Sequence, residues 1–270
     1  MQSITESIKK RRSVRTFDGK EPDNELIEHI EDICRDSRNP FGISIRYVLI
    51  EKERYGVGSP VISGEKLYIA GIVRKEKDAE VAFGFFFEDV LLKLEAEGIS
   101  GTIMAGFDEK AFSQAVALSD GERIACISPL GYKADRMSLR ETLMRKAVGA
   151  DKRLPLSRIC YIRDLDHPAQ ASELGDIGPL LELVRLAPSA VNRQPWRMVI
   201  RDRTIHFYEN HAKGMQGKDG WDIQKIDMGI ALCHFYHGAR ESGLVTDCFV
   251  NDPHINVPEG TEYIVSMRIV

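Results

Sequence analysis

The stretch "VAFGFFFEDVLLKLEAEG", residues 81–98, is apolar on nearly every side and stops on a glycine. An apolar run without a polar stripe predicts a helix buried all round. Gly98 supplies the residue that most easily takes the left-handed C-terminal conformation. A second stretch, "DMGIALCHFYHGARESG", residues 227–243, repeats the design. Gly84 precedes Gly98 by fourteen residues, and Gly229 precedes Gly243 by the same fourteen.

The correspondence extends outward from these glycines. "EGISGTIM" follows the first stretch and "SGLVTDCFV" the second; "GERIACIS" matches "GTEYIVSM". Upstream, "IEDICRDSRNPFGISIRYVLI" matches "LLELVRLAPSAVNRQPWRMVI", with Ile33 opposite Val184 and Arg46 opposite Arg197. Helix–strand patterns always look somewhat alike, but the shared glycine spacing and element order favour a duplication. Two copies of roughly 100 residues or more predict an internal pseudo-dimer, not a solenoid. The expected division is 1–165 and 166–270, with the halves intertwined. They are not equivalent. The first alone carries "KKRRSVRTF" (9–17), "AGFDEKAF" and "DKRLP"; the second alone carries "APSAVNRQPWR" (187–197).

The remaining elements follow from period and capping. Residues 3–12 read as a short helix opened by Ser3 with Glu6 three positions on. "EPDNELIEHIEDICRDS" and "IGPLLELVRLAPS" carry apolar residues at helical spacing, and "DEKAFSQAVAL" reads as a short helix. "SIRYVLIEK", "KLYIAGIVRK", "ERIACISPLGY", "WRMVIRD", "TIHFYEN" and "EYIVSMRIV" read as strands. Residues 136–170 read as irregular.

The chain has 270 residues, 43% hydrophobic, enough for a sizeable core. A net charge of −4 gives no field favouring nucleic acid or anionic membrane. The basic knot is therefore local. Five scattered cysteines (Cys34, Cys126, Cys160, Cys233, Cys248) match neither zinc spacing nor a disulfide framework. They read as buried thiols in a reducing compartment. No apolar leader core opens the sequence, and no run is long enough to span a bilayer. A cytoplasmic location and no membrane partner are expected.

In an extended segment, positions 11, 13 and 15 share a side. That aligns the guanidinium of Arg11, the hydroxyl of Ser13 and the guanidinium of Arg15, with Lys9, Lys10 and Arg12 turned to solvent or acidic neighbours. Arginine forks and a hydroxyl suit phosphate oxygens. The same knot also fits a solvated basic face, a nucleic-acid arm or surface salt bridges. In "APSAVNRQPW", Ser189 and Asn192 are short polar groups able to read a hydrogen-bonding edge, and Trp196 packs at the loop's base. A capped helix–strand turn fits that stretch too. His234 and His237, three apart on one helix, form half a metal site without a third ligand, so no metal is expected. "GKDGWD" (217–222) reads as a loop over the site, with Trp221 available to cover a ligand. No G-x-G-x-x-G, Walker or G-x-S-x-G sequence is present.

Together "RRSVRTF" and "PSAVNRQPW", with "AGFDEKAF", "ISPLGY" and "KRLP" in order, resemble the FMN-dependent nitroreductase family. The match is to its branch with two nitroreductase-like units fused in one chain. The resemblance implies an α+β nitroreductase-like fold arranged as a tandem pseudo-dimer, with one composite FMN site. Arg11, Ser13 and Arg15 of half one would bind the phosphate, helped by Arg153 and by Lys152. Pro188, Ser189, Ala190 and Asn192 of half two would contact the flavin. The backbone N–H of Ala105 or Gly106 would approach flavin N5. The implied activity passes electrons from NAD(P)H to a nitroaromatic, quinone or enone, in a monomer that binds a small-molecule substrate and no nucleic acid. No residue is implied as a side-chain acid. The sequence departs from the family at 57–61 ("VGSPV"), at Ala105, where an acid is common, and near Asp151, where a base is usual. A degenerate scaffold, binding flavin or another phosphate-bearing ligand without turnover, is the alternative.

Overall fold

A computed structural model describes residues 3–217 and 219–270. Met1 and Gln2 of the opening stretch, and Lys218 of the 217–222 loop, lie outside the described residues.

The chain opens with α1 (Ile4–Lys10) and α2 (Asn24–Asp36), followed by β1 (Arg46–Glu51), the short α3 (Lys52–Tyr55) and β2 (Leu67–Arg74). The buried stretch 81–98 lies within and just beyond α4 (Ala79–Ala96). After it come β3 (Ser100–Gly101), α5 (Glu109–Ala115), β4 (Glu122–Gly131), α6 (Leu139–Ala147) and β5 (Cys160–Ile162). The second series is α7 (Gly178–Arg185), β6 (Trp196–Arg201), β7 (Thr204–Asn210), α8 (Ile223–Glu241), β8 (Thr246–Phe249) and β9 (Thr261–Ile269). Residues 136–170, expected to be irregular, contain α6 and β5. Ser138 caps α6 by accepting the Glu141 N–H at 3.1 Å, and helix formers fill the turns behind it.

The two series build two sheets with one plan. Strand order is β1-β2-β4-β3 in the first and β6-β7-β9-β8 in the second, with β5 added beside β6. All four-strand neighbours pair antiparallel in both sheets; β5 alone pairs parallel. The register slips at corresponding places, between Gly71 and Ile72 in β2 and between Phe207 and Tyr208 in β7. Arg46 faces Ile72 and Arg197 faces Tyr208, the residue after each slip. The sequence match of Arg46 with Arg197 is thus also the structural one. Residues 160–162, which precede the expected division at 165/166, lie in the second sheet, beside β6.

The helices α4 and α8 cross at their glycines. A Cβ on Gly84 would fall 2.0 Å from the Ile226 carbonyl oxygen, and one on Gly229 would fall 2.0 Å from that of Val81. Val81 and Ile226 each lie one turn before a crossing glycine, so the contact is symmetric. Backbones this close exclude any side chain at the crossing. Around it Phe83, Phe87, Leu92, Leu94, Met228, Leu232 and Phe235 are fully buried. This shared core fixes where the N-terminal end of α8 stands relative to the first sheet, and so the walls of the site.

Buried charge sits in the same layer. Glu88 accepts from His234 Nε2 at 2.8 Å and lies 3.6 Å from Arg11 Nε. His234 Nδ1 bonds the Leu183 carbonyl at 2.9 Å, and His237 Nε2 bonds Asp89 at 2.7 Å. His234 and His237 thus take separate carboxylate partners. Ligand atoms of Asp89, Cys233 and His237 lie within 4.8 Å of one another, a grouping without His234 that sequence spacing does not show. Lys93 pairs with the same Asp89 at 2.8 Å. Cys34, Cys126, Cys160 and Cys233 are buried free thiols, and Cys248 is half-buried. Burial pushes the Cys34 and Cys160 thiols up to about 12. Among the described residues no helix is long and apolar enough to cross a membrane.

Candidate ligand site

The basic knot is laced into the first half by its backbone. Val14 N–H donates to the Gly101 carbonyl at 3.2 Å, Ser63 N–H to Arg15 at 3.0 Å, and Phe17 N–H to Ser63 at 2.8 Å. Thr16 Oγ1 donates to the buried carboxylate of Glu141 at 2.7 Å. Upstream, Glu241 of α8 accepts the Ile4 and Thr5 N–H groups at 2.6 and 3.0 Å, satisfying donors that open α1. The segment 4–17 is thus tied to α8 at its start, to β3 at Val14 and to Ser63 at Arg15 and Phe17.

It forms one wall of a cavity of about 370 Å³. Arg11, Ser13, Arg15 and Arg153 line it together with Pro188, Ser189 and Asn192. An adjoining slot of about 120 Å³ shares Arg11, Ser13, Arg15, Pro188, Ser189 and Val191. It continues inward past Thr102, Ile103, Ala105 and Cys126 to Ala190, Ile223, Ile226, Asp227 and Ile230. Nine of the ten site residues read from the sequence thus stand on one continuous surface, although they come from both halves. Gly106 lines neither space.

Three readings need correction. Lys9 and Arg12 also line the larger cavity, so the knot does not divide into a ligand side and a solvent side. Arg11 closes α1 with φ −64° and ψ 144°, polyproline-like backbone whose repeat is three, not two. Lys9 and Lys10 pair with Glu6 at 3.0 and 3.8 Å, as expected of solvated cations. Trp221 is buried beneath the Arg123 guanidinium, 4.3 Å from the ring, and lines neither space. Lys152 is likewise absent from the lining; its carbonyl oxygen instead accepts from the Asn192 amide.

The larger cavity carries Lys9, Arg11, Arg12, Arg15, Arg145 and Arg153 against one carboxylate, Asp151, which pairs with Arg145. Arg145 was missed because it belongs to no motif, and Arg12, although it stands in the knot, was expected to face solvent. Burial pulls the Arg153 guanidinium down from its usual range, and repulsion from Arg11 and Arg185 adds to this. Arg15 is pulled down by burial and by Arg145, with Glu141 opposing. Both remain cations. Arg153 Nε is buried without a partner. Crowded, under-neutralised guanidiniums with an orphan donor form a place where an anion gains strongly.

The opposite loop is strained. Val191, Asn192 and Gln194 all have positive φ, at 44°, 57° and 51°. Side chains disfavour that region, so local bonds must hold it. Asn192 Nδ2 donates to the Gly149 and Lys152 carbonyls at 2.7 and 2.9 Å; Ser189 Oγ accepts from Gln194 N–H at 2.9 Å. Asn192 Oδ1 accepts from Arg153 at 3.3 Å. Of the two side chains expected to face a ligand, Asn192 thus also fastens the loop to the 149–153 segment, and Ser189 braces the loop internally. Ala190 N–H donates to Asp227 Oδ1 and Oδ2 at 3.0 and 3.1 Å.

The related position in the other half differs. Counted from the crossing glycines, Asp78, Val81 and Val250 correspond to Ile223, Ile226 and Ala105. They line a groove of about 350 Å³ with Glu76, Lys77, Glu80, Lys225 and Glu262. Carboxylates dominate there, so it does not repeat the cationic cavity.

Two sheets of one strand plan, a glycine-crossed helix pair and a cationic cavity make up this α+β fold. The family model described as "Putative TM nitroreductase" matches residues 3–239, and the chain belongs to that family. A solved structure of a "putative nitroreductase" from Thermotoga maritima shares the fold with a TM-score of 0.63 at 22% identity, covering 99% of this chain and 94% of that one. A nitroreductase with bound FMN from Desulfitobacterium hafniense aligns over 50% of this chain and 92% of its own at 18% identity, TM-score 0.41. A nitroreductase family protein from Clostridium novyi aligns over 50% and 87% at 17%, TM-score 0.43. No curated protein matches the chain.

Proposed function

We propose that the chain is an FMN-dependent oxidoreductase of nitroreductase type with one composite site. The observation that carries this is the cationic cavity opening into a slot lined by isoleucines, with walls from segments roughly 175 residues apart in the chain. Together the spaces fall in the usual range for a ligand pocket, about 300–1,000 Å³. A phosphate-bearing, flat heteroaromatic fits both chemistries: anion at the arginines, ring between Ile103 and Ile223–Ile230. Arg11, Ser13, Arg15 and Arg153 would hold the phosphate. Pro188, Ser189, Ala190 and Asn192 would border the ring, and the Ala105 backbone would stand at its edge, with Gly106 beyond.

When bound, FMN supplies hydride transfer from NAD(P)H to an acceptor such as a nitroaromatic, quinone or enone. The protein's own residues position it, neutralise its phosphate and exclude water. The acidic groove around Asp78 and Glu262 repels phosphate, which supports one flavin per 270-residue chain, divided near 165/166.

The test is addition of FMN to purified protein, followed in the visible flavin band, then of NADH or NADPH. Binding at one per chain with bleaching supports the reading; no binding at high FMN sinks it. A second reading, a binding scaffold without turnover, is favoured by Asp151 inside the cavity and by the absence of residues 57–61 from its walls. Val57 is instead packed in the core. FMN binding without bleaching by either nicotinamide would select that reading.

A further inference from the structure

Asp227 is 4% exposed and faces the slot, among Ile223, Ile226, Ile230 and Ile103. Its hydrogen-bond partner is one backbone donor, the Ala190 N–H, which both oxygens share. The titratable and charged groups about it are Cys126 on β4, Glu209 on β7, Asp222 at the start of α8, and Arg11 and Arg15 on the far slot wall. Glu209 and Asp222 are near and of its own sign. Asp227 makes no ion pair among the described residues. A buried carboxylate without a cation is costly, and the usual relief is to keep the proton.

We propose that Asp227 is a neutral carboxylic acid whose O–H serves as the slot's hydrogen-bond donor, selecting ligands that present an acceptor atom there. One oxygen keeps the Ala190 N–H; the other carries the proton and faces the cavity. A ring carbonyl or an unprotonated ring nitrogen suits this wall, and a ring N–H does not. Burial, with Glu209 and Asp222 adding, raises this carboxyl well above the usual range, which accords with the geometry. The donor role rests on the flavin reading; the protonation state does not.

Two arms keep them apart. Without ligand, infrared difference spectra of wild type minus Asp227→Asn should show the carbonyl band of a neutral carboxyl at neutral pH. A raised folded pKa means that stability is lost as pH rises from the unfolded value of about 3.9 toward the folded one. Thermal unfolding should therefore favour Asp227→Asn increasingly over that interval. A carboxylate band, or a constant difference between the two proteins, overturns the proposal. With FMN and riboflavin as probes, Asp227→Asn, still a donor, should bind within about threefold of wild type, and Asp227→Ala about tenfold more weakly. Riboflavin, lacking phosphate, should show the same ratio. Equal binding by Asp227→Ala overturns the donor role. If wild type binds neither probe, the flavin reading and the donor role fall together, and the ligand-free arm still decides the protonation state.

Discussion

Replacing Gly229 by alanine tests the helix crossing on which the whole arrangement rests. The added methyl would stand 2.0 Å from the Val81 carbonyl oxygen, 2.6 Å from Phe85 N and 2.9 Å from Gly84 Cα. Ordinary contact is about 3.5 Å, and every one of these atoms is backbone, so no side-chain rotation relieves the clash. The helices must separate, opening the surrounding core. Overpacking of this kind costs up to about 3 kcal/mol or more, and alanine returns about 1 kcal/mol of helix propensity. A net loss of about 2 kcal/mol lowers the unfolding midpoint by roughly 5 °C for a chain of this size. Circular dichroism melts measure it. Gly84→Ala should cost a similar amount, and the double variant less than the sum, because one separation accommodates both methyls. An alanine variant as stable as wild type would refute the close crossing and the symmetry drawn from it.

Four further outcomes follow. Arg15→Ala should weaken FMN binding about tenfold through loss of a charge-assisted contact, and Asn192→Ala should weaken it by freeing the strained loop; fluorescence titration in which only one of them matters contradicts a site shared between halves. Glu88→Gln strips Arg11 and His234 of a buried counter-charge, at about 3–5 kcal/mol in denaturant melts. Burial pushes the Glu88 carboxyl up, but Arg11 and His234 outweigh it and hold it low, so this deficit should be full above about pH 4.3 and shrink as pH falls through the folded value; a deficit unchanged in acid refutes the ionised pair. His211 is raised by its bond to Glu209 and by Asp222. Its stabilisation should be full below about pH 6.5 and lost as pH rises past the folded value, so His211→Ala melts that differ from wild type only in alkali contradict it.

Much of this architecture was written locally. The all-apolar helices announced α4 and α8, and the fourteen-residue glycine interval announced their equivalence, because backbone crossing leaves only glycine possible. Strands with alternating or wholly apolar runs were equally plain. The segment 136–170 was not. Ser138 and Glu141 carry the capping signal of α6, but its apolar row is short and its leucines, Leu139 and Leu143, are exposed, so no burial pattern marks it. The three residues of β5 mean little until β6, which supplies their hydrogen bonds, is folded beside them. Of the site, the motif residues of both loops could be read, whereas Arg145 and Asp227 could not. A lone acid in an apolar helix carries no local mark of what faces it. Nor did "EDVLLK" reveal that Glu88 would bind Arg11 and His234, since that pairing depends on the helix crossing.

The arm that crosses between sheets has a consequence for how the molecule assembles. Strand β5 leaves the first half to edge the second sheet, and Glu241 near the end of α8 closes the first turn of α1. Neither half can finish alone, and the cavity walls at 11–15 and 188–192 meet only after most of the chain is made. A growing chain on the ribosome therefore has no ligand pocket until α8 has emerged. From then on, any ligand that spans the two walls acts as a clasp between segments roughly 175 residues apart in the chain.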